Sequence, residues 1–176
     1  QALTPLAKAI SSMATVNSLT IDSTGDTRNG LGNWNNGGPK PYTLTAGEEK
    51  IDLSNKNLGS ADVALLTAWL QRPEVTATLV SVNCLKNNFG DEGLATLLTA
   101  IDGTSVRSLC GLTEGQTTAD FSGQNLGPFD CKILEAEFEV FGVRGFIATL
   151  VSVNCLKNNF GDEGLATLLT AIDGTS

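Results

Sequence analysis

The chain contains one 29-residue segment twice without a single substitution, at residues 77–105 and again at residues 148–176. An internal repeat of this length constrains the fold, because equal sequences favour equal local structures that must then pack against their neighbours. Units that stack in this way create extended surfaces, and such proteins generally bind other molecules. The repeat therefore predicts a repeat architecture with a binding role.

Within each copy the periodicity changes from that of a strand to that of a helix. Residues 79–84 alternate apolar and polar side chains, which is typical of a half-buried strand. Further along, the spacing of three and four residues that marks the apolar face of a helix joins Leu94, Leu97, Leu98 and Ile101. Each copy is therefore predicted to form a strand, a tight turn and a helix.

The rest of the chain follows the same plan with more variation. Residues 44–59 match residues 112–127 at an offset of 68, and each segment leads into a helical pattern. Residues 106–110 are predicted to add a short strand, and residues 22–42, rich in Gly and Asn, to form a loop insertion. The other strands are predicted to centre near Leu19, Leu53, Cys84, Phe121 and Cys155.

The pattern LxxVxCxxNxFGDEGLxxLLxAI over residues 79–101 resembles a leucine-rich repeat of the ribonuclease-inhibitor-like class. The resemblance implies an α/β solenoid, a horseshoe with a parallel concave sheet and outer helices. It also implies that the side chains of Asn87 and Asn158 bond backbone groups of the turns. We therefore expect a single leucine-rich-repeat domain over residues 1–176, interrupted by the insertion and forming a piece of a longer array.

In such a horseshoe, strand residues that point away from the core would line the concave wall. The candidate partner-binding residues are Asp52, Ser54, Ser81, Asn83, Leu85, Asp120, Ser122, Ser152, Asn154 and Leu156. The Asp and Asn residues form a polar row, which could bond a partner's backbone or could simply be a solvated sheet face. Leu85 and Leu156 are the sharper candidates, because apolar residues at exposed strand positions are typical contacts.

Trp34 lies in the insertion, the least core-like stretch of the chain. A tryptophan on a polar loop is typical of an interface anchor. The alternative is that the ring folds back and covers the edge of the repeat stack, since an exposed indole without a partner is costly.

The last copy raises the question of how the end of the array is covered. Repeat arrays need polar terminal caps, yet residues 148–176 are identical to an internal segment. Their outer side is expected to pack against further repeats or another chain, or to be left bare if the array is cut there. We therefore expect the chain to be part of a larger assembly.

No constellation of residues typical of catalysis is found. The chain has no histidine, which removes Ser-His-Asp and Cys-His systems and the commonest metal ligand. It has no Cys-x-x-Cys pair and no phosphate-binding loop motif. Asp22 and Asp26 do not have the spacing of a calcium loop, and we interpret them as turn formers. The sequence predicts neither an enzyme nor a cofactor or metal site.

Net charge limits the classes of partner, and cysteine content bears on the compartment in which the protein occurs. The net charge of −8 argues against nucleic acid and would favour a basic protein partner. No stretch has the ~20 apolar residues of a membrane span. Cys84 and Cys155, two or more turns of the array apart, are predicted to be free thiols, which favours a reducing compartment. The states of Cys110 and Cys131 are left open.

These observations predict a non-catalytic protein–protein interaction or assembly scaffold. Two alternatives remain open at this point. One is a structural subunit of a larger complex, held by its ends and edges rather than by its concave face. The other is a regulatory or sensor domain of a longer enzyme or receptor.

Overall fold

The computed structural model describes residues 3–10, 12–142 and 145–173. The helices are α1 (Leu3–Ile10), α2 (Ser60–Leu70), α3 (Pro73–Thr76), α4 (Gly90–Ile101), α5 (Pro128–Ala136) and α6 (Gly161–Asp173). The strands are β1 (Ser18–Asp22), β2 (Pro41–Thr45), β3 (Lys50–Asp52), β4 (Ser81–Asn83), β5 (Thr118–Asp120) and β6 (Ser152–Asn154). A π-helical turn, Glu137–Phe141, extends α5, and a 3₁₀ turn, Phe146–Thr149, precedes β6.

The described strands form three separate pairs. β1 and β2 are antiparallel, whereas β3 with β4 and β5 with β6 are parallel. Helix α2 packs between α1 and α4, and α5 packs against α6. We call residues 50–101 the first unit and residues 118–173 the second unit, since each contains one parallel strand pair and one pair of packed helices.

The prediction of a leucine-rich-repeat horseshoe is wrong. In the described part of the chain the strands make two-stranded sheets rather than one continuous concave sheet, and no solenoid is formed. The strand–turn–helix units predicted from the sequence are present, but the sheet does not pass from the first unit to the second.

The interruption lies at residues 106–112, which we call the covering segment. It touches β4 through two isolated bridges and forms no regular strand, contrary to the prediction for residues 106–110. The Ser108 hydroxyl accepts hydrogen bonds from the backbone N–H groups of Cys110 and Leu112. The N–H of Leu109 donates to Glu137 Oε2 at 2.7 Å. Because these donors are already satisfied, the segment cannot offer them to β5.

The insertion is held against α2 by one buried carboxylate. Asp62 accepts hydrogen bonds from the backbone N–H and hydroxyl of Thr24 and from the Tyr42 hydroxyl. The contact is tight, since a Cβ on Gly25 would lie 2.4 Å from the carbonyl oxygen of Asn57. The insertion is therefore an ordered part of the fold.

The turn role predicted for Asp26 is confirmed, whereas the same prediction is wrong for Asp22, which is the last residue of β1. The buried carboxylate of Asp26 accepts hydrogen bonds from the backbone N–H groups of Thr27, Asn36 and Gly38. Burial raises the pKa of Asp26, but these N–H donors outweigh it and lower the pKa below its ordinary value.

All four cysteines are free thiols. Cys84, Cys110 and Cys131 are buried, and Cys155 is half-buried. Burial raises the pKa of each thiol, that of Cys131 to about 11, so these side chains act as small apolar residues. None of the helices in the described ranges has both the length and the apolar run needed to cross a bilayer.

Candidate interaction surface

The two identical copies lie in different environments. Leu85 is 2% exposed, whereas its counterpart Leu156 is 70% exposed. Val82 is fully buried, whereas Val153 is 39% exposed. Since the copies have the same sequence, the difference comes entirely from what packs against them. The first copy therefore shows how this sequence is covered when a neighbour is present.

In the first copy the neighbour is the covering segment. The backbone N–H of Val82 donates to the Ser108 carbonyl, and the N–H of Cys84 donates to the Leu109 carbonyl, both at 2.9 Å. In return, the N–H of Arg107 donates to the Val80 carbonyl at 2.7 Å. The free edge of β4 is thereby paired.

In the second copy the corresponding edge of β6 is open. Among the described residues β6 pairs only with β5, and no bridge reaches its other side. Val151 precedes this edge and is 85% exposed. An open edge strand with apolar side chains is a template for pairing with another chain.

The exposed surface continues onto α6. Leu165, Leu169 and Ile172 lie one and two turns apart on this helix, and all three are exposed. Their counterparts in α4 are Leu94, Leu98 and Ile101, of which the first and last are buried and the second is partly buried. We call the open edge of β6 together with these three α6 residues the C-terminal surface.

In the structure, some of the predicted partner-binding residues are exposed and others are buried. Leu156 and Ser152 belong to the open edge and are exposed. Leu85 and Ser81 are buried, so the prediction that these two residues stand at exposed positions is wrong. The physical reason is that the covering segment occupies the side of β4 that would have faced solvent. Ser54 and Ser122 are partly exposed.

The polar row has a local structural role in all four strands. Its side chains each accept a hydrogen bond from the backbone N–H two residues later, at 2.9 to 3.2 Å, in the pairs Asp52–Ser54, Asn83–Leu85, Asp120–Ser122 and Asn154–Leu156. This is an Asx turn, and the regular strand ends at the row, beyond which single backbone hydrogen bonds continue the pairing. Each of these four strands is therefore centred earlier in the sequence than predicted. A partner-binding role for the row stays a prediction.

Asn87 and Asn158 form the backbone hydrogen bonds that the sequence resemblance implied. The Asn87 side chain donates to the carbonyls of Leu53 and Cys84 and accepts from the N–H groups of Lys56 and Leu58. Asn87 thus supports the turn of the preceding strand as well as its own.

We expect Asn87→Ala to lower the free energy of unfolding by about 2 kcal/mol, because it leaves buried backbone groups unpaired. Asn158→Ala should cost about 1 kcal/mol, since Asn158 is only half-buried and makes fewer bonds. Urea denaturation of the two variants checks this. Equal losses would contradict the difference in environment between the copies.

Trp34 packs within its own insertion. Its ring lies 4.3 Å from the Arg28 guanidinium carbon and contacts Gly38, where an added Cβ would come within 2.9 Å of the indole. Trp34 as a whole remains 38% exposed. Its predicted role as a partner anchor stays a prediction.

A groove of about 830 Å³ runs along the turns that follow the strands. Several of its polar side chains are engaged with the protein itself: Asn57 donates to the carbonyls of Asn36 and Gly38, and Lys132 is paired with Asp91. In the described ranges no cluster of Asp, Glu and Cys side chains is arranged to hold a metal ion. We find no arrangement of described side chains in the groove that is typical of a catalytic site.

Sequence reasoning missed the apolar residues that dominate the C-terminal surface: Val151, Val153, Leu165, Leu169 and Ile172. A usable signal was present, because the last copy carries no polar cap. Following that signal residue by residue would have identified these side chains.

No protein-family model matches this chain, and no curated protein matches it.

Proposed function

We propose that this chain is a non-catalytic protein-binding module that contributes to assembly through its C-terminal surface. The observation that carries the proposal is the exposure of Val151 and Leu156, whose counterparts in the identical first copy are partly buried (Val80) and buried (Leu85). Contiguous exposed apolar surface is typical of a protein–protein contact.

Two further features support the proposal. Much of the surface lies on the strand β6 and the helix α6, whose fixed backbone lowers the entropic cost of binding. The net charge of −8 favours a partner that is neutral or basic. Kinship with leucine-rich repeats remains a proposal about the local unit only, supported by the hydrogen bonds of Asn87 and Asn158.

The test is the native mass of the tagged protein isolated from its cells of origin. We expect a complex of fixed stoichiometry, which the double variant Val151→Lys with Leu156→Lys should lose. Lysine at an open strand edge replaces apolar contact with a charge that opposes pairing. Native mass spectrometry measures the complex directly.

The matched control is Leu31→Lys, because Leu31 is also exposed but lies in the insertion, away from the C-terminal surface. This variant should retain the complex. A complex that survives the double variant would exclude the C-terminal surface. A complex lost in Leu31→Lys alone would point to the insertion instead.

A further inference from the structure

We infer that the partner binds by adding an extended segment to the open edge of β6, and that this segment resembles residues 106–112 of the chain itself. The inference rests on the proposed function and specifies its binding mode. Strand addition of this kind takes its affinity from backbone hydrogen bonds and its specificity from alternate side chains.

The backbone groups needed for this pairing can be derived from the first copy. There the pairing groups are the N–H of Val82, the N–H of Cys84 and the carbonyl of Val80. At the offset of the repeat they correspond to the N–H of Val153, the N–H of Cys155 and the carbonyl of Val151. Across the described chain no strand lies on that side of β6. The open edge therefore offers the same two donors and one acceptor that the covering segment satisfies in the first copy.

The side chains of the covering segment define the chemistry of the occupant. Val106, Leu109 and Leu112 are buried in the first copy. Val106 also borders a small cavity together with Leu98 and Ile101, whose counterparts on α6 are exposed. An occupant of the second copy would accordingly be an extended segment with aliphatic residues at these positions.

Charge decides between a separate partner and a second copy of this chain. Arg107 is the one charged residue in the covering segment, which makes that segment basic, whereas the chain as a whole has a net charge of −8. Two copies would repel each other. A second copy also cannot supply its own covering segment, because Val106, Ser108 and Leu109 are buried within the fold. The charges therefore favour a neutral or basic extended segment of a separate protein over a second copy of this chain.

The probe is a fluorescent peptide comprising residues 104–113, TSVRSLCGLT, with Cys110→Ser to prevent disulfide formation. We expect saturable one-to-one binding to the 176-residue chain by fluorescence anisotropy. Val151→Lys with Leu156→Lys should abolish the binding, and Leu31→Lys should preserve it.

A backbone modification of the peptide separates strand addition from apolar adhesion without altering the protein. The Arg107 N–H bonds β4 in the first copy, so N-methylation at Arg107 should weaken binding about tenfold or more. Leu109 provides the matched control, because its N–H points away from β4 and bonds Glu137, while the pairing uses its carbonyl. N-methylation at Leu109 should change the affinity by less than about threefold.

Each outcome bears on a different claim. Equal binding of the two methylated peptides would overturn strand addition but leave the C-terminal surface as a binding site. Absence of peptide binding would overturn the proposed occupant, and if the native complex is still lost in the double variant, the proposed function survives. A dimer of this chain that the double variant dissociates would show that the occupant is a second copy and would also overturn the inference.

Discussion

Leu85→Lys is expected to lower the free energy of unfolding by about 4 kcal/mol or more, whereas Leu156→Lys should change it by no more than about 0.5 kcal/mol. The two leucines occupy the same place in identical sequences, but Leu85 is enclosed by the covering segment and Leu156 is exposed. Placing an unpaired ammonium in the first site removes apolar contact and buries a charge. Urea midpoints of the two variants measure the difference.

Leu85→Lys could prevent folding altogether, because domains are stable by only about 5–15 kcal/mol. The milder pair Leu85→Ala and Leu156→Ala keeps the comparison measurable, with expected losses of about 3 and less than about 0.5 kcal/mol. If both members of the pair destabilise the protein equally, the second copy is covered in the same way as the first, and the C-terminal surface does not exist in solution.

The stability of the protein should fall by about 3 kcal/mol between pH 4.5 and pH 8 because of Glu137 alone. Burial raises the pKa of this carboxyl from 4.5 to about 7, although the Leu109 N–H partly opposes the shift. Below pH 4.5 the carboxyl is protonated in both states. Between pH 4.5 and 7 the unfolded chain releases the proton while the folded chain retains it, so stability declines, and above pH 7 the loss is complete.

Glu137→Gln is the control for this effect. The glutamine stays neutral and can still accept the hydrogen bond of Leu109, so the variant should match the wild type near pH 4.5 and exceed its stability above pH 7. The chain has no histidine, which removes the usual titrating group from this range. Burial also raises the pKa of Asp130, but that contribution is common to both proteins. Parallel curves of urea midpoint against pH would refute the assignment to Glu137.

The local units could be predicted from the sequence, because they depend on short-range patterns. The apolar spacing of Leu94, Leu97 and Ile101 predicted α4, and the structure places that helix at Gly90–Ile101. The centre of β4 was predicted too late in the sequence. The alternation of apolar residues continues to Cys84, whereas the hydrogen bond of the Asn83 side chain ends the strand at that residue. Side-chain turns of this kind compete with the ladder without disturbing the apolar pattern.

The arrangement of the units could not be predicted in this way. The sheet stops at the covering segment because Glu137, 28 residues away, takes the N–H of Leu109. The residues near Leu109 in the sequence give no indication of that contact. The C-terminal surface is a stronger case, because Leu85 and Leu156 have identical neighbours in sequence over the whole repeat. Burial of these residues is decided by tertiary contacts, and a local pattern carries no information about it.

The Asx turn at Asn154 keeps β6 short, so an added segment can bond only from the Val151 carbonyl to the Cys155 N–H, a span of about 13 Å. A pairing segment of this length carries little sequence information, and suitable segments occur by chance in a great many proteins. Discrimination must then come from the aliphatic residues around the ladder, or from several weak contacts made together. Single contacts of this length release quickly, so the edge of β6 is suited to reversible exchange between partners.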